Sequence, residues 1–357
     1  MKKHLLLLAF IPALFSCEDD TVDTPNTPSA PDTYSFDPMS YDGQITRLDM
    51  MEEMSAYMKS ANTGSKVSKS EMVAYFTNNG ANWSNTELGQ SSKNLESKTF
   101  ADVLPTLYNW MDSLVVSSNS TVAGGPGVAG VVTSNSGAKQ YNCSAKGFEY
   151  PQLLEKGIMG ATFYYQATTI YLGDDKMNVD NTVSDSVKGT DMEHHFDEAF
   201  GYWGVPTDFP TNMDGVRFWG KYTNTVDGSL GTNQRLMDYM IDGRFAITQD
   251  NMTARDEART MIKSTWEEVV AGTAIHYLNG AKSDFADHAL RNHQLSEAYA
   301  FVWSLYFNED RVITPAQIDQ VLATLGDDFY AITTSDIQAA ADQLAQIYGW
   351  ESIQNNL

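Results

Sequence analysis

TARDEARTMIKSTWEEVVAGTAIHYLNG, residues 253–280, carries the clearest helical signature in the chain. Thr253 and Asp256 make a Thr-x-x-Asp start, Trp266, Val269, Val270, Thr273 and Tyr277 recur at helical spacing, and Gly280 supplies a stop. Downstream, Thr314-Pro315-Ala316-Gln317 and Ser335-Asp336-Ile337-Gln338 are capping-box patterns that open two more helices, the first with proline at its opening position. Upstream, residues 43–60, 100–116 and 150–171 read as helices as well. No strand series of the sandwich or doubly wound kind is present. The chain is therefore expected to be all-α, with long loops at 117–140 and 173–191.

Both loops contain motifs that fail on context. Gly125-Pro126-Gly127-Val128-Ala129-Gly130 formally matches a dinucleotide fingerprint, but no clear strand precedes it and Ser/Asn-rich sequence follows in place of a helix. The acidic run at 173–191 lacks the ligand spacing and central glycine of a calcium loop and reads as a solvated linker.

Two blocks of the chain echo each other. EKGIMGATFYY (155–165) aligns with EEVVAGTAIHY (267–277), and His194-x-x-x-Glu198 aligns with His293-x-x-x-Glu297, in the same order. This favours a duplicated helical bundle, with an N-terminal half at 34–180 and a C-terminal half at 181–357.

The 357 residues include 23 Lys+Arg against 46 Asp+Glu, a formal charge of −23. Such a surface repels phosphate backbones, which argues against nucleic acid as a partner, and attracts cations. The N-terminus carries an address. Lys2 and Lys3 precede an apolar run that ends at Leu14-Phe15-Ser16-Cys17, a pattern that resembles a bacterial lipobox. Residues 1–16 are then a cleaved signal peptide, and Cys17 carries the lipid that anchors the chain in a membrane. Residues 17–33 form a lipidated tether, with Pro25, Pro28 and Pro31 among polar residues. Its acidic start, Glu18-Asp19-Asp20, resembles the export signal of surface lipoproteins, so the expected place is the outer membrane, facing outward.

The residues that can carry chemistry are few. On one helix, His194 and His195 lie four and three residues before Glu198, with Asp191 and Asp197 on the same side and Phe196, Ala199, Phe200 and Trp203 on the other. That front is either a solvated face or part of a metal site, since imidazole and carboxylate are both ligands for first-row metals. On a second helix, His293 and Glu297 sit among Leu290, Phe301 and Leu305, while Leu295, Tyr299, Val302 and Trp303 make the opposite side apolar. A carboxylate buried there is paired with His293, hydrogen-bonded to other core groups, or bound to a cation. His276 and His288 read as core residues. There is no His-Glu-x-x-His and no Gly-x-Ser-x-Gly, and Cys143 has no identifiable histidine partner, so covalent hydrolysis has no support.

Several segments together resemble a family of Bacteroidota lipoproteins, domain of unknown function 4856, over residues 34–355. They are Asp42-Gly43-Gln44, Gly147-Phe148-Glu149-Tyr150 with Gln152, Lys156-Gly157-Ile158-Met159-Gly160-Ala161, His194-His195-Phe196-Asp197-Glu198-Ala199-Phe200-Gly201-Tyr202, Phe218-Trp219-Gly220-Lys221-Tyr222, and Thr273-Ala274-Ile275-His276-Tyr277-Leu278-Asn279. The resemblance implies a fold similar to imelysin proteins, two helical bundles with a cleft and a His-x-x-Glu motif, here His195-Phe196-Asp197-Glu198. Glu193 stands where that motif has glycine. It further implies a role in iron acquisition at the cell envelope. The expectation is a non-enzymatic, lipid-anchored protein that binds a metal ion or chelate, Fe or Zn, through His194, His195, Glu198, His293 and Glu297. A metal-assisted hydrolase or peptidase, and a structural partner of an outer-membrane transporter, are the alternatives.

Overall fold

Helices form where capping and spacing signals lie, with adjustments at their ends. The structure, a computed structural model, describes residues 29–357. Cys17, the signal peptide and the tether as far as residue 28 lie outside the described residues. In chain order the first helices are α1 (Asp42–Lys59), α2 (Lys69–Thr77), α3 (Thr86–Gln90), α4 (Leu104–Ser118), α5 (Tyr150–Ile158), α6 (Asp174–Met177) and α7 (Asp191–Gly201). They continue with α8 (Trp219–Leu230), α9 (Thr232–Thr248), α10 (Met252–Ser283), α11 (His288–Ser304), α12 (Pro315–Leu325) and α13 (Thr334–Tyr348). The described residues are all-α apart from one antiparallel hairpin, β1 (Gly130–Thr133) with β2 (Gln140–Cys143). Pro31–Leu357 make one compact unit.

The 32-residue α10 is the central element. It packs against α8, α9, α11 and α13, and Val269 through Ile275 are buried without a break, so every side of the helix is covered. Its start differs from the expected Thr253: Asn251 is the cap, accepting from the Ala254 amide at 3.2 Å, because an Asn two residues earlier offers the better-placed acceptor. Gly280 does not end it. The helix runs on to Ser283, and at Gly280 the end of the Gln294 side chain from α11 lies 1.7 Å from where a Cβ would stand.

Other boundaries shift for similar reasons. The Thr314–Gln317 capping box forms as expected, with Pro315 opening α12. The second box is Thr333–Asp336 rather than Ser335–Gln338: Thr333 Oγ1 accepts from the Asp336 amide and the Asp336 carboxylate accepts from the Thr333 amide at 2.9 Å. The expected single helix over 150–171 is α-helical only to Ile158, and Met159–Tyr164 and Gln166–Tyr171 wind as π-helix. Gly160 lies in that stretch, where a Cβ would stand 2.1 Å from Ser304 Oγ, so its bare backbone lets the segment lie against α11. The loop expected at 117–140 contains the β1 strand and the first residue of β2. Val132 and Cys143 bury themselves against Ala289, and this small apolar contact gives the hairpin its register.

α1 lies against α2, α5 and α7, and α5 lies against α11. This places the α5 residues Glu155 and Lys156 between α1 on one side and α11 on the other. Among the described residues no helix is long and apolar enough to cross a membrane.

Candidate functional site

The two His/Glu turns fold into two separate clusters with different partners. In the first, on α7, His195 Nδ1 donates to Glu198 Oε2 at 3.2 Å, Gln44 Nε2 donates to Glu198 Oε1 at 2.9 Å, and His194 Nδ1 donates to the Ser40 carbonyl at 3.0 Å. His194 Nε2 stands 3.9 Å from Glu198 Oε2, beyond hydrogen-bond reach. In the neutral form each ring therefore keeps its lone pair on Nε2, with its other nitrogen held by an oxygen, which is how metal-ligating histidines are oriented. Of the expected ligands these three come closest to a site.

The remaining donors are spent elsewhere. Asp197 was expected on the same face as the histidines; it is instead fully buried, accepting from Arg244 Nε at 2.9 Å and Tyr34 Oη at 2.8 Å. Glu193 closes the α7 capping box and pairs with Arg244 Nη1 at 2.6 Å. In the second cluster, His293 Nδ1 meets Glu149 Oε2 at 2.6 Å while its Nε2 meets Glu297 Oε1 at 3.4 Å. A ring that donates from both nitrogens has no lone pair for a metal. Glu297 Oε2 faces Lys156 Nζ at 4.0 Å. Among the described residues no three His, Cys, Asp or Glu side chains stand so as to hold a metal ion. Of the residues expected to share an Fe or Zn centre, His194, His195 and Glu198 keep to one cluster, while His293 and Glu297 are taken up by Glu149 and Lys156 in the other.

Burial works against the charged form of His293, but Glu149 and then Glu297 outweigh it and raise its pKa above the ordinary 6.5. The sign follows directly. This clamp contributes stability that is fully present below about 6.5 and is lost as pH rises through the raised value. NMR of the ring protons should show His293 titrating above 6.5 in the parent chain and below 6.5 in the Glu149→Gln, Glu297→Gln variant, where burial is no longer opposed. A value below 6.5 in the parent chain would contradict the clamp.

A different site stands out beside α1. Asp42, Ile45, Leu48, Glu52, Ser55, Ala56 and Lys59 recur every three or four positions, so they share one face of the helix. Across from them lie residues 204–206, 214–218, Lys221 and Tyr222, with Glu155, Lys156 and Met159 from the α5 segment. Two cavities lie along this face. One, of about 350 Å³, is lined by Lys59, Lys156, Arg217 and Lys221 together with Glu52 and Glu155. The other, of about 690 Å³, is lined by Ile45, Leu48, Val205 and Val216 with Asp42 and Asp214. They share Glu52, Arg217 and Lys221.

The smaller cavity holds four cations against two carboxylates, in a chain whose overall charge is −23. Glu155 accepts from Lys156 at 2.5 Å, Lys59 at 2.6 Å and Ser55 Oγ at 2.7 Å. Burial alone would raise its pKa, yet the two lysines bring it down to about 2. Arg217 is held by Asp49 at 2.5 Å and Glu52 at 3.2 Å. Lys221 is exposed and, among the described residues, has no carboxylate partner.

The wall of this cavity is strained. Phe218, the residue before α8, has φ +48° and ψ −119°, a backbone conformation costly for an aromatic residue. It is held there by edge-to-face packing on Phe163 at 5.6 Å, by the Arg217 amide donating to the Gly204 carbonyl at 2.9 Å, and by Trp219 Nε1 donating to the Met159 carbonyl at 3.1 Å. Arg217 and Lys221 flank this turn, and both line the cavity together with Lys59 and Lys156.

No spacing in the sequence links the lining residues Lys59, Lys156, Arg217 and Lys221. A signal was available: Lys156, Met159, Phe218, Lys221 and Tyr222 belong to two of the segments that carry the family resemblance. The family described as Domain of unknown function (DUF4856) matches residues 31–351. No curated protein and no solved structure matches the chain.

Proposed function

The chain belongs to the DUF4856 family, and from that premise we propose that it is a binding protein of the cell envelope that captures a small organic anion in the cleft along α1. The observation that carries this reading is Lys221, exposed in the lining of the smaller cavity and, among the described residues, without a carboxylate partner, beside three cations that Glu155, Glu297, Asp49 and Glu52 hold. A cleft with low-dielectric walls focuses its field, so Lys221 attracts an anion locally even though the surface as a whole repels it. Lys221 and Lys59 are the more accessible cations, Lys59 being paired with Glu155; Lys156 and Arg217 are fixed by carboxylates and give the cavity its shape.

The lipobox-like Cys17 supplies the address in this reading: a lipid anchor in the outer membrane of a Bacteroidota-type cell, with the folded unit at the surface, where it can pass ligand to a membrane transporter. Iron enters only as an anionic chelate, bound through the chelator's carboxylates and not through imidazole nitrogens. An imelysin-like role in uptake is compatible with that route.

Citrate is a suitable probe. Calorimetry should show binding that weakens as sodium chloride is raised, and Lys221→Glu should lower the affinity at least tenfold while leaving the unfolding midpoint unchanged, since Lys221 is exposed. Citrate that fails to bind, or binds Lys221→Glu as tightly as the parent chain, would remove the proposal.

A further inference from the structure

Arg217, four residues before Lys221, is occupied by the chain itself. Its Nη1 donates to Asp49 Oδ1 at 2.5 Å and to Glu52 Oε2 at 3.2 Å, two carboxylates that lie three residues apart on one face of α1. Glu52 and Arg217 line both cavities, so this ion pair stands between them. Its geometry is weak. Both bonds leave from one nitrogen, and Nε and Nη2 have no hydrogen-bond partner among the described residues, whereas a guanidinium binds a carboxylate best through two parallel donors. The acceptors are also open to water, with Asp49 38% and Glu52 67% exposed.

The backbone beneath the pair is fixed. The Arg217 amide donates to the Gly204 carbonyl at 2.9 Å, its carbonyl accepts from the Gly220 amide at 3.0 Å, and Phe218 packs on Phe163. Release of Arg217 therefore needs only rotation of its side chain between staggered rotamers.

We propose that Asp49 and Glu52 form an autoinhibitory latch: they compete with the ligand for Arg217, and a ligand carboxylate is held by Lys221 and Arg217 together once it displaces them. This rests on the anion-binding reading of the smaller cavity and adds how that site is regulated. Breaking an exposed ion pair of this kind costs up to about fivefold in affinity. The latch thus selects among anions: one that offers a single contact to Lys221 leaves it closed, while a carboxylate that presents both oxygens to the guanidinium opens it.

The test is calorimetry with citrate on four forms of the full chain: the parent, Asp49→Asn with Glu52→Gln, Arg217→Gln, and all three changes together. The replaced side chains are partly or largely exposed and the replacements keep their size, and circular dichroism verifies that each form folds. Removing the two carboxylates should tighten citrate about fivefold when Arg217 is present and less than about twofold when it is Gln. This cycle separates competition for Arg217 from the general field, since the loss of two negative charges favours an anion with or without Arg217. No tightening, or the same tightening in both backgrounds, would overturn the latch alone. Citrate that binds none of the four forms overturns the anion-binding reading and the latch with it.

Discussion

Arg244→Ala is expected to cost about 3–5 kcal/mol of folding stability, because it leaves two carboxylates in the interior without their cation. Arg244 is 1% exposed and gathers Glu193 at 2.6 Å, Asp197 at 2.9 Å and Thr248 at 2.7 Å, with the Phe36 ring 4.8 Å beneath its guanidinium. Asp197 Oδ2 already lacks a hydrogen-bond donor. Burial raises Asp197 to about 7 against the pull of Arg244. A carboxyl raised in this way contributes stability that is fully present below its unfolded value near 4 and is lost as pH rises through about 7. Without Arg244 the carboxyl rises further, so the deficit of the variant should be smaller at pH 5 than at pH 8. Urea unfolding at the two pH values reads both effects. A cost below about 1 kcal/mol, or a deficit that grows on acidification, would contradict this account of the α7–α9 contact.

Lys156→Ala should be comparably damaging, by about 3–5 kcal/mol, and should also impair ligand capture. The ammonium of Lys156 is 2.5 Å from Glu155 and 4.0 Å from Glu297, and all three side chains are buried. Burial opposes ionisation of Glu155, yet Lys156 and Lys59 hold it at about 2. A carboxyl lowered in this way contributes stability present above its unfolded value and lost as pH falls through about 2; the displacement corresponds to about 3 kcal/mol. Lys59 alone cannot maintain it, so the variant should begin to lose stability at a higher pH than the parent chain. Replacing Glu155, Lys156 and Glu297 together by Met is expected to recover much of the loss, because no unpaired charge then remains inside. Acid titration of the unfolding free energy separates these outcomes, and an unshifted acid limb in Lys156→Ala would show that the pair is not the source.

What could be read in the sequence was whatever is local. Trp266, Val269, Val270 and Thr273 at helical spacing announced α10, and the Thr314–Gln317 box with Pro315 announced α12, because both signals lie within one or two turns. Boundaries set by another element were illegible. Gly280 looks like a stop until Gln294 is seen against it, and Met159–Tyr164, which winds as π-helix, carries the Gly160 that lies against Ser304.

The site divides in the same way. His194, His195 and Glu198 do meet on one turn of α7, as i, i+3 and i+4 spacing requires. Their counterparts His293 and Glu297 also meet, but in an ion-pair chain with Glu149 and Lys156, which are far away in sequence. Asp197 shares the helix with the histidines, and its role follows from Arg244 on α9, which no helical-wheel argument contains. The cleft along α1 depends on four cations from three stretches of chain brought together by packing.

The most direct test of the cleft is a crystal structure of the full chain grown with citrate at a concentration that calorimetry shows to be saturating. The account predicts citrate in the smaller cavity, with carboxylate oxygens within hydrogen-bond distance of Lys59 and Lys221 and with the Glu155–Lys156 pair intact beneath it. Citrate bound at another surface while this cavity holds only water would contradict it.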